Sequence, residues 1–278
     1  MSSVAILGAG PIGAATAGSL ARSGRVSSIR LIDHAEATAT GKALDILQAG
    51  PVERFTTRVS AAADPLAAAG AAVIVLADPI GSGEWSGDDG SALVRQLVRG
   101  GGSAPIVFAG PSQTTLMETC ARSIGVPAHR LVGSAAAAMV ATAQSLAGLE
   151  MDFSGAELTV VGRPPRFVVG WAAATAAGSL VTDRVPAHRL RAVSESIARF
   201  WPPGPYAIGA ATTRIVESLI FGSRRLHAAL TVVEHGLGPT GTAVMLPLEL
   251  GRLRVLSHVM PSLSPQERTA LVNGLTIE

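Results

Sequence analysis

The sequence is poorest in the residues that mark special cases. Cys120 is the only cysteine among 278 residues, which excludes an internal disulfide and any cysteine-based metal cluster. Charged residues make up 15% of the chain and aromatic residues 4%, and the formal net charge is +2. There is no run of Lys or Arg and no basic stretch interleaved with aromatics, so no nucleic-acid partner is expected. Lys42 is the sole lysine; beside the heavy use of Ala, Gly and Arg it reads as the imprint of a GC-rich genome. No apolar stretch reaches the ~18 uninterrupted residues of a membrane span. The Ala-rich segment 134–149 is broken by Thr142, Gln144 and Ser145, and reads as a buried helix. No secretory signal precedes the first apolar run, and a cytoplasmic location is expected. The six histidines (His34, His129, His188, His227, His235 and His258) show neither i,i+4 spacing nor an HExxH frame, so no metal site is expected.

What is present starts at the amino end. Val4-Ala5-Ile6-Leu7 reads as a short strand, and Gly8-Ala9-Gly10-Pro11-Ile12-Gly13 as a tight turn opening a helix. Such a turn brings backbone close to a pyrophosphate, with free N–H groups of the helix N-terminus pointing at it. Asp33 ends the next apolar run, Ser28 to Ile32, twenty residues past Gly13. A carboxylate there accepts both ribose hydroxyls of an adenosine and repels a 2′-phosphate, which favours NAD over NADP. The cofactor contacts expected are Gly8, Ala9, Gly10, Pro11, Ile12, Gly13 and Asp33, joined by Ala77 and Asp78 at the end of a later apolar run.

Hydrophobic residues are 48% of the chain, which fits an ordered protein with substantial cores. Apolar runs at 4–7, 28–32, 71–77 and 104–109 alternate with helical patterns at 11–22, 38–48, 64–69, 88–99 and 112–123. This alternation predicts an α/β fold with a parallel sheet and right-handed crossovers. Arg130 to Val132 reads as one more strand, after which the pattern changes. The second half reads as the Ala-rich helix, strands near 156–162 and 166–169, a helix near 186–200 stopped by Trp201-Pro202-Pro203, and a long helix near 206–221. Strands near 227–233, 242–247 and 251–256 read as an antiparallel meander. Ser264 and Glu267 form a capping box for a last helix. The expected division is a dinucleotide-binding domain over 1–132 and a mixed α+β domain over 133–278. The hexapeptide Val-Pro-Ala-His-Arg-Leu occurs at 126–131 and 185–190 in different contexts, and reads as coincidence.

In order and spacing these features resemble the lactate/malate dehydrogenase family over nearly the whole chain. The glycine loop and Asp33 carry the resemblance. So do Gly41 to Ile46 with Gln48 to Pro51, the Asp88-Asp89 pair, Arg130 to Gly133, Tyr206 to Gly209 with Val216 to Ile220, and Gly238 to Gly251. The resemblance implies a Rossmann-type doubly wound parallel sheet followed by a mixed α+β catalytic-type domain, NAD as cofactor, and a homodimer or homotetramer. It also implies a set of polar groups: a histidine that exchanges a proton with substrate, an aspartate that orients it, an arginine for the substrate carboxylate, loop arginines and an asparagine.

The chain departs from that set. Pro164 stands where the histidine is implied, and Met139 and Thr142 where the aspartate and arginine are. The stretch from Asp78 to Gly87 has no arginine, leaving Gly81 and Gly87 in the loop, and Gly110 takes the asparagine's place before Pro111. No histidine lies between 130 and 187 and no arginine between 131 and 162. Asp78 replaces a glycine that the resemblance implies beside the cofactor; its carboxylate would repel the pyrophosphate unless it points elsewhere.

Of the remaining candidates, Arg163 and Arg166 read as ligands for a small anion or as surface charges beside two prolines. Ser112, Thr114 and Thr115 read as helix caps rather than nucleophiles. His34 reads as a loop residue near the adenosine pocket, His235 as part of an exposed hairpin, Trp85 as a cover for a ligand or partner chain, and Phe153 and Phe167 as core. The expectation is an NAD-binding oxidoreductase by descent without the standard 2-hydroxy-acid hydride transfer. The alternatives are an active oxidoreductase with an altered substrate and proton donor, a nucleotide-responsive regulatory or structural protein, and an S-adenosylmethionine-binding protein.

Overall fold

The computed structural model describes residues 2–100, 102–151, 155–234 and 236–276. The first half alternates as expected: β1 (Ser3–Leu7), α1 (Pro11–Ser23), β2 (Ser28–Ile32), α2 (Glu36–Glu53), β3 (Arg58–Ala62), β4 (Val73–Leu76), α3 (Gly87–Arg99), β5 (Ile106–Phe108), α4 (Thr114–Arg122) and β6 (Leu131–Gly133). These six strands are parallel, in the order β3-β2-β1-β4-β5-β6. This is the doubly wound arrangement, in which order reverses beside β1 and ligands lie at the carboxyl ends of the strands. The fold is an α/β Rossmann-type fold.

The second half comprises α5 (Ala137–Met151), β7 (Val160–Arg163), β8 (Arg166–Val169), β9 (Thr175–Ala176), β10 (Ser179–Leu180), α6 (Ala187–Ile197), α7 (Pro205–Phe221), β11 (Leu226–Val233), β12 (Thr242–Gly251), β13 (Arg254–His258) and α8 (Pro265–Thr276). β11 joins the parallel sheet antiparallel to β6, through Leu230 and Gly133. β12, β7 and β8 extend the same sheet, and β13 pairs with the upper part of β12. Helices cover both faces. One core packs Val4, Ile6 and Val75 against α1, α2 and α7; the other packs Leu7, Leu76 and Phe108 against α3, α4 and α5. Among the described residues, no helix is long and apolar enough to cross a membrane.

Several elements differ from expectation for local reasons. β3 is an edge strand in which only Val59 is buried, so it carries little apolar signal. The segment expected to be helical at 64–69 is a 3₁₀ turn, Pro65–Ala68, whose Leu66 N–H donates to Asp64 Oδ1 at 2.8 Å. β7 starts at Val160 rather than 156, and Glu157 makes only an isolated bridge to Thr175. α6 ends at Ile197 and tightens into a 3₁₀ turn before Trp201. The hexapeptide repeat is a 3₁₀ turn in one copy and the start of α6 in the other. The capping box forms: Ser264 N–H donates to Glu267 Oε2 at 2.7 Å, and Glu267 N–H to Ser264 Oγ at 3.3 Å. Phe167 is partly buried, edge-on to Trp201 at 5.3 Å. Phe153 and His235 lie outside the described residues.

Cys120 sits on the inner face of α4 and is fully buried. Burial pushes its thiol up to about 12. Since the thiolate is the reactive form, a thiol reagent should titrate no cysteine in the native protein and one after denaturation. Rapid labelling at neutral pH would show that α4 opens.

Candidate functional site

The glycine loop closes as its sequence dictates. Gly8 has φ +107°, and a Cβ there would stand 2.6 Å from the Asp78 backbone; a Cβ on Gly13 would stand 2.0 Å from the Gly8 carbonyl oxygen. Only glycine lets β1, β4 and α1 approach this closely. Pro11 takes the first position of α1, where no N–H is needed. The Gly8 N–H donates to the Ile32 carbonyl at 2.8 Å and the Gly10 N–H to the Asp78 carbonyl at 2.7 Å.

The remaining donors of the loop meet carboxylates. Ile12 and Gly13 each donate to Asp78 Oδ1 at 3.0 Å. Ala9 donates to Asp33 Oδ2 at 2.8 Å. Every N–H from Gly8 to Gly13 therefore has a partner inside the chain, Pro11 having none to place. Asp78 is 7% exposed, and α1 carries no acid of its own in its first turn. The Asp78 carboxylate thus serves as the anion that a helix N-terminus attracts. A Cβ on Gly10 would stand 2.5 Å from Asp78 Oδ2, so the carboxylate lies directly against the glycine expected to face a pyrophosphate. In this conformation a pyrophosphate has no donor left on the loop and meets a like charge; it fits only with the Asp78 side chain turned away.

Asp33 follows directly on the last residue of β2 and is only 3% exposed. Besides Ala9, its carboxylate accepts N–H from Ile80 at 2.9 Å and Ala35 at 3.0 Å, with His34 Nδ1 at 3.1 Å from Oδ1. Burial would raise its pKa; the N–H groups of Ala9, Ala35 and Ile80, with His34, outweigh burial and hold it below the usual carboxylate value. Asp33 thereby ties three segments together: the glycine loop, the turn after β2 and the turn after β4. The His34 side chain is mostly exposed. Lys42, which composition alone marked as a coding accident, reaches from α2 to donate to the Ala9 carbonyl. Its position in a helix after the acidic strand end was the available signal.

The loop after β4 folds inward. Trp85 Nε1–H donates to the Leu7 carbonyl at 3.1 Å, so this ring packs on the chain's own sheet. The N–H of Ser112 donates to Glu84 Oε2 at 2.8 Å, and a Cβ on Gly110 would stand 2.1 Å from that oxygen. The Glu84 carboxylate thus sits at the position expected of asparagine. Burial, helped by the charge of Asp78 and opposed by the Ser112 N–H, raises its pKa. Gln113, rather than Ser112, Thr114 or Thr115, stands at the cap of α4; its Oε1 accepts the Gly110 N–H at 2.9 Å and its Nε2 donates to the Ala77 carbonyl at 3.3 Å. Gly81 is exposed on this loop, and Gly87 is exposed at the start of α3.

The other three positions are spread over the second half. Met139 is fully buried in the core. Thr142 Oγ1–H donates to the Ala138 carbonyl at 3.1 Å and lines a cavity of about 880 Å³ between α5, α7 and β11. Pro164 lies in the β7–β8 hairpin and lines a different cavity, of about 710 Å³. There Arg163 is paired with the buried Glu118 of α4, which also takes Arg122 at 3.3 Å and the Ala243 N–H at 2.8 Å. Arg163 is thus a partner of an internal carboxylate; Arg166 lines the same cavity. No group of three or more His, Cys, Asp or Glu able to hold a metal occurs among the described residues.

His227 lines the first cavity, between Ser218 Oγ at 3.0 Å and Ser223 Oγ at 2.9 Å. Burial, then the charges of Arg214 and Arg225, lower its pKa. Below about pH 6.5 the unfolded chain takes up a proton that the folded chain refuses, so stability falls as pH falls through that range. His227→Gln should flatten the drop in denaturation midpoint between pH 7.5 and 5.5. Equal slopes for the two proteins would count against it.

Residues 2–94 match the family model described as lactate/malate dehydrogenase, NAD binding domain. Among curated proteins, a malate dehydrogenase of Thermomicrobium roseum is 28% identical, covering 96% of this chain and 93% of the relative. An L-lactate dehydrogenase of Allorhizobium ampelinum is 26% identical, covering 98% and 95%. Among solved structures, the minor L-lactate dehydrogenase of Enterococcus mundtii superposes with a TM-score of 0.84 at 19% identity, covering 98% of this chain and 95% of that one. A lactate dehydrogenase from a Medee basin deep-sea metagenome superposes at 0.85 and 17% identity, covering 99% and 95%. The expected fold is found along the whole length. In sequence the chain is similar to lactate and malate dehydrogenases along nearly its whole length, and its first third matches that family's NAD binding domain.

Proposed function

We propose that this chain is an NAD-binding member of that family in which the standard 2-hydroxy-acid hydride transfer is lost, leaving a nucleotide-responsive role. The observation that carries the reading is the occupancy of the catalytic positions. NAD, when bound, supplies or accepts a hydride; the protein must move the accompanying proton and grip a carboxylate. Pro164 has no proton to exchange, Met139 has no charge to set against a cation, and Thr142 spends its hydroxyl on its own helix. The loop from Asp78 to Gly87 contributes two carboxylates at the cleft, Asp78 and Glu84, where an anionic substrate calls for arginine. The expected homodimer or homotetramer and cytoplasmic location belong to the same reading, as does the division at residue 132.

A second reading, an active oxidoreductase on a less anionic substrate, is favoured by Glu84. Its carboxyl group lies against Gly110 with a raised pKa, a state suited to giving up a proton. Following NADH absorbance with a panel of 2-oxo acids and uncharged ketones separates the two. Turnover abolished by Glu84→Gln would establish the second reading; no turnover on any of them supports the first.

A further inference from the structure

The side chain of Asp78 occupies the place where a bound anion would meet the glycine loop. We propose that Asp78 is a built-in anion that competes with the dinucleotide's pyrophosphate, so that binding requires its side chain to leave the loop. The proposal rests on the NAD-binding reading of this domain and adds to it a residue that sets its affinity.

Five observations carry it. Oδ1 accepts from both Ile12 and Gly13, the two outermost N–H groups of α1 at this end. Oδ2 lies over Gly10, where a Cβ would stand 2.5 Å from it. The residue's own backbone is pinned, because its carbonyl accepts the Gly10 N–H at 2.7 Å, so only the side chain is free to turn. Pro79 follows it and restricts its backbone further. The neighbouring Glu84 adds a second carboxylate to the same space, and the charge of Asp78 bears on it. A helix N-terminus favours an anion whether it is a side chain or a phosphate. The two anions therefore exclude each other there.

The contact has two consequences of opposite sign. It stabilises α1 in the free protein, and it weakens dinucleotide binding. Removing the carboxylate should therefore lower the melting temperature without ligand and tighten the complex. A purely structural cap would show only the first effect.

Calorimetric titration of the full chain with NADH, for wild type, Asp78→Asn and Asp78→Gly, tests this. Asp78→Gly should bind NADH at least tenfold more tightly than wild type, and Asp78→Asn should fall between them. Glu195→Gln, which removes an exposed charge on α6, should leave affinity unchanged and controls for net charge. If Asp78→Gly fails to fold by circular dichroism, the near-isosteric Asp78→Asn carries the test, with at least threefold tighter binding expected. Equal or weaker binding by the folded variants would overturn the role of Asp78 and leave NAD binding standing. No NADH binding by any folded variant at millimolar concentration would overturn the NAD-binding reading and this proposal together.

Discussion

Mixed with NADH and either pyruvate or oxaloacetate, the protein should consume NADH at least about 10⁴-fold more slowly than an ordinary enzyme turns over. A positioned general acid or base contributes roughly 10²–10⁴ in rate. A donor that stabilises developing charge on oxygen contributes roughly 10²–10³ more. This chain lacks both at the expected positions, together with the arginine that would hold the substrate carboxylate. Such contributions do not multiply cleanly when groups act as a unit, so ~10⁴ is the conservative figure. Against a typical turnover of about 10 per second, the expected rate is about 10⁻³ per second or less. Whatever residual rate exists should also lack an inflection near pH 6.5, because no histidine occurs between residues 130 and 187. A stopped-flow or overnight absorbance trace distinguishes these scales easily. A rate of several per second on either 2-oxo acid would refute the loss of the standard chemistry.

Much of this was legible in the sequence because the signals are local. Gly8, Gly10 and Gly13 report a backbone that must pass close to itself, and their spacing needs no tertiary knowledge. The capping box of Ser264 and Glu267 is likewise a property of four consecutive residues. Pro164, Met139 and Thr142 could be set against a catalytic set only because the resemblance implied positions for it. The direction taken by Asp78 was not readable. Sequence placed a carboxylate beside the loop, but whether it turned toward Ile12 and Gly13 depends on how β4 sits against β1. Asp33 was read as a ribose acceptor; its three backbone donors come from Ala9, Ala35 and Ile80, two of them distant in sequence. Lys42 and Glu118 were missed for the same reason: Ala9 lies 33 residues from Lys42, and Arg163 and Ala243 lie 45 and 125 residues from Glu118. β3 escaped because an edge strand with one buried side chain has no pattern to show.

Glu118→Ala should lower the free energy of unfolding by about 3 kcal/mol or more, the scale for removing one member of a buried ion pair. The side chain is 5% exposed, and its two oxygens hold Arg163, Arg122 and the Ala243 N–H. Those partners belong to different parts of the chain: Arg163 ends β7, Ala243 is the second residue of β12, and Arg122 lies one turn along α4. Truncation strands a buried N–H and a largely covered guanidinium at once, each of which costs more unpaired than its pairing contributes. Arg122 is half exposed, so Arg122→Ala should cost less than about 1 kcal/mol. Glu118→Gln keeps the shape and can still accept from Ala243, and should fall between the two. Denaturant midpoints for the three variants decide the point, and their order matters more than any single value. If Glu118→Ala cost no more than Arg122→Ala, the carboxylate would be an incidental surface pair. If the order holds, Arg163 is committed to joining α4 to the β7–β8 hairpin, and the hairpin that would carry the catalytic histidine has become a structural tie.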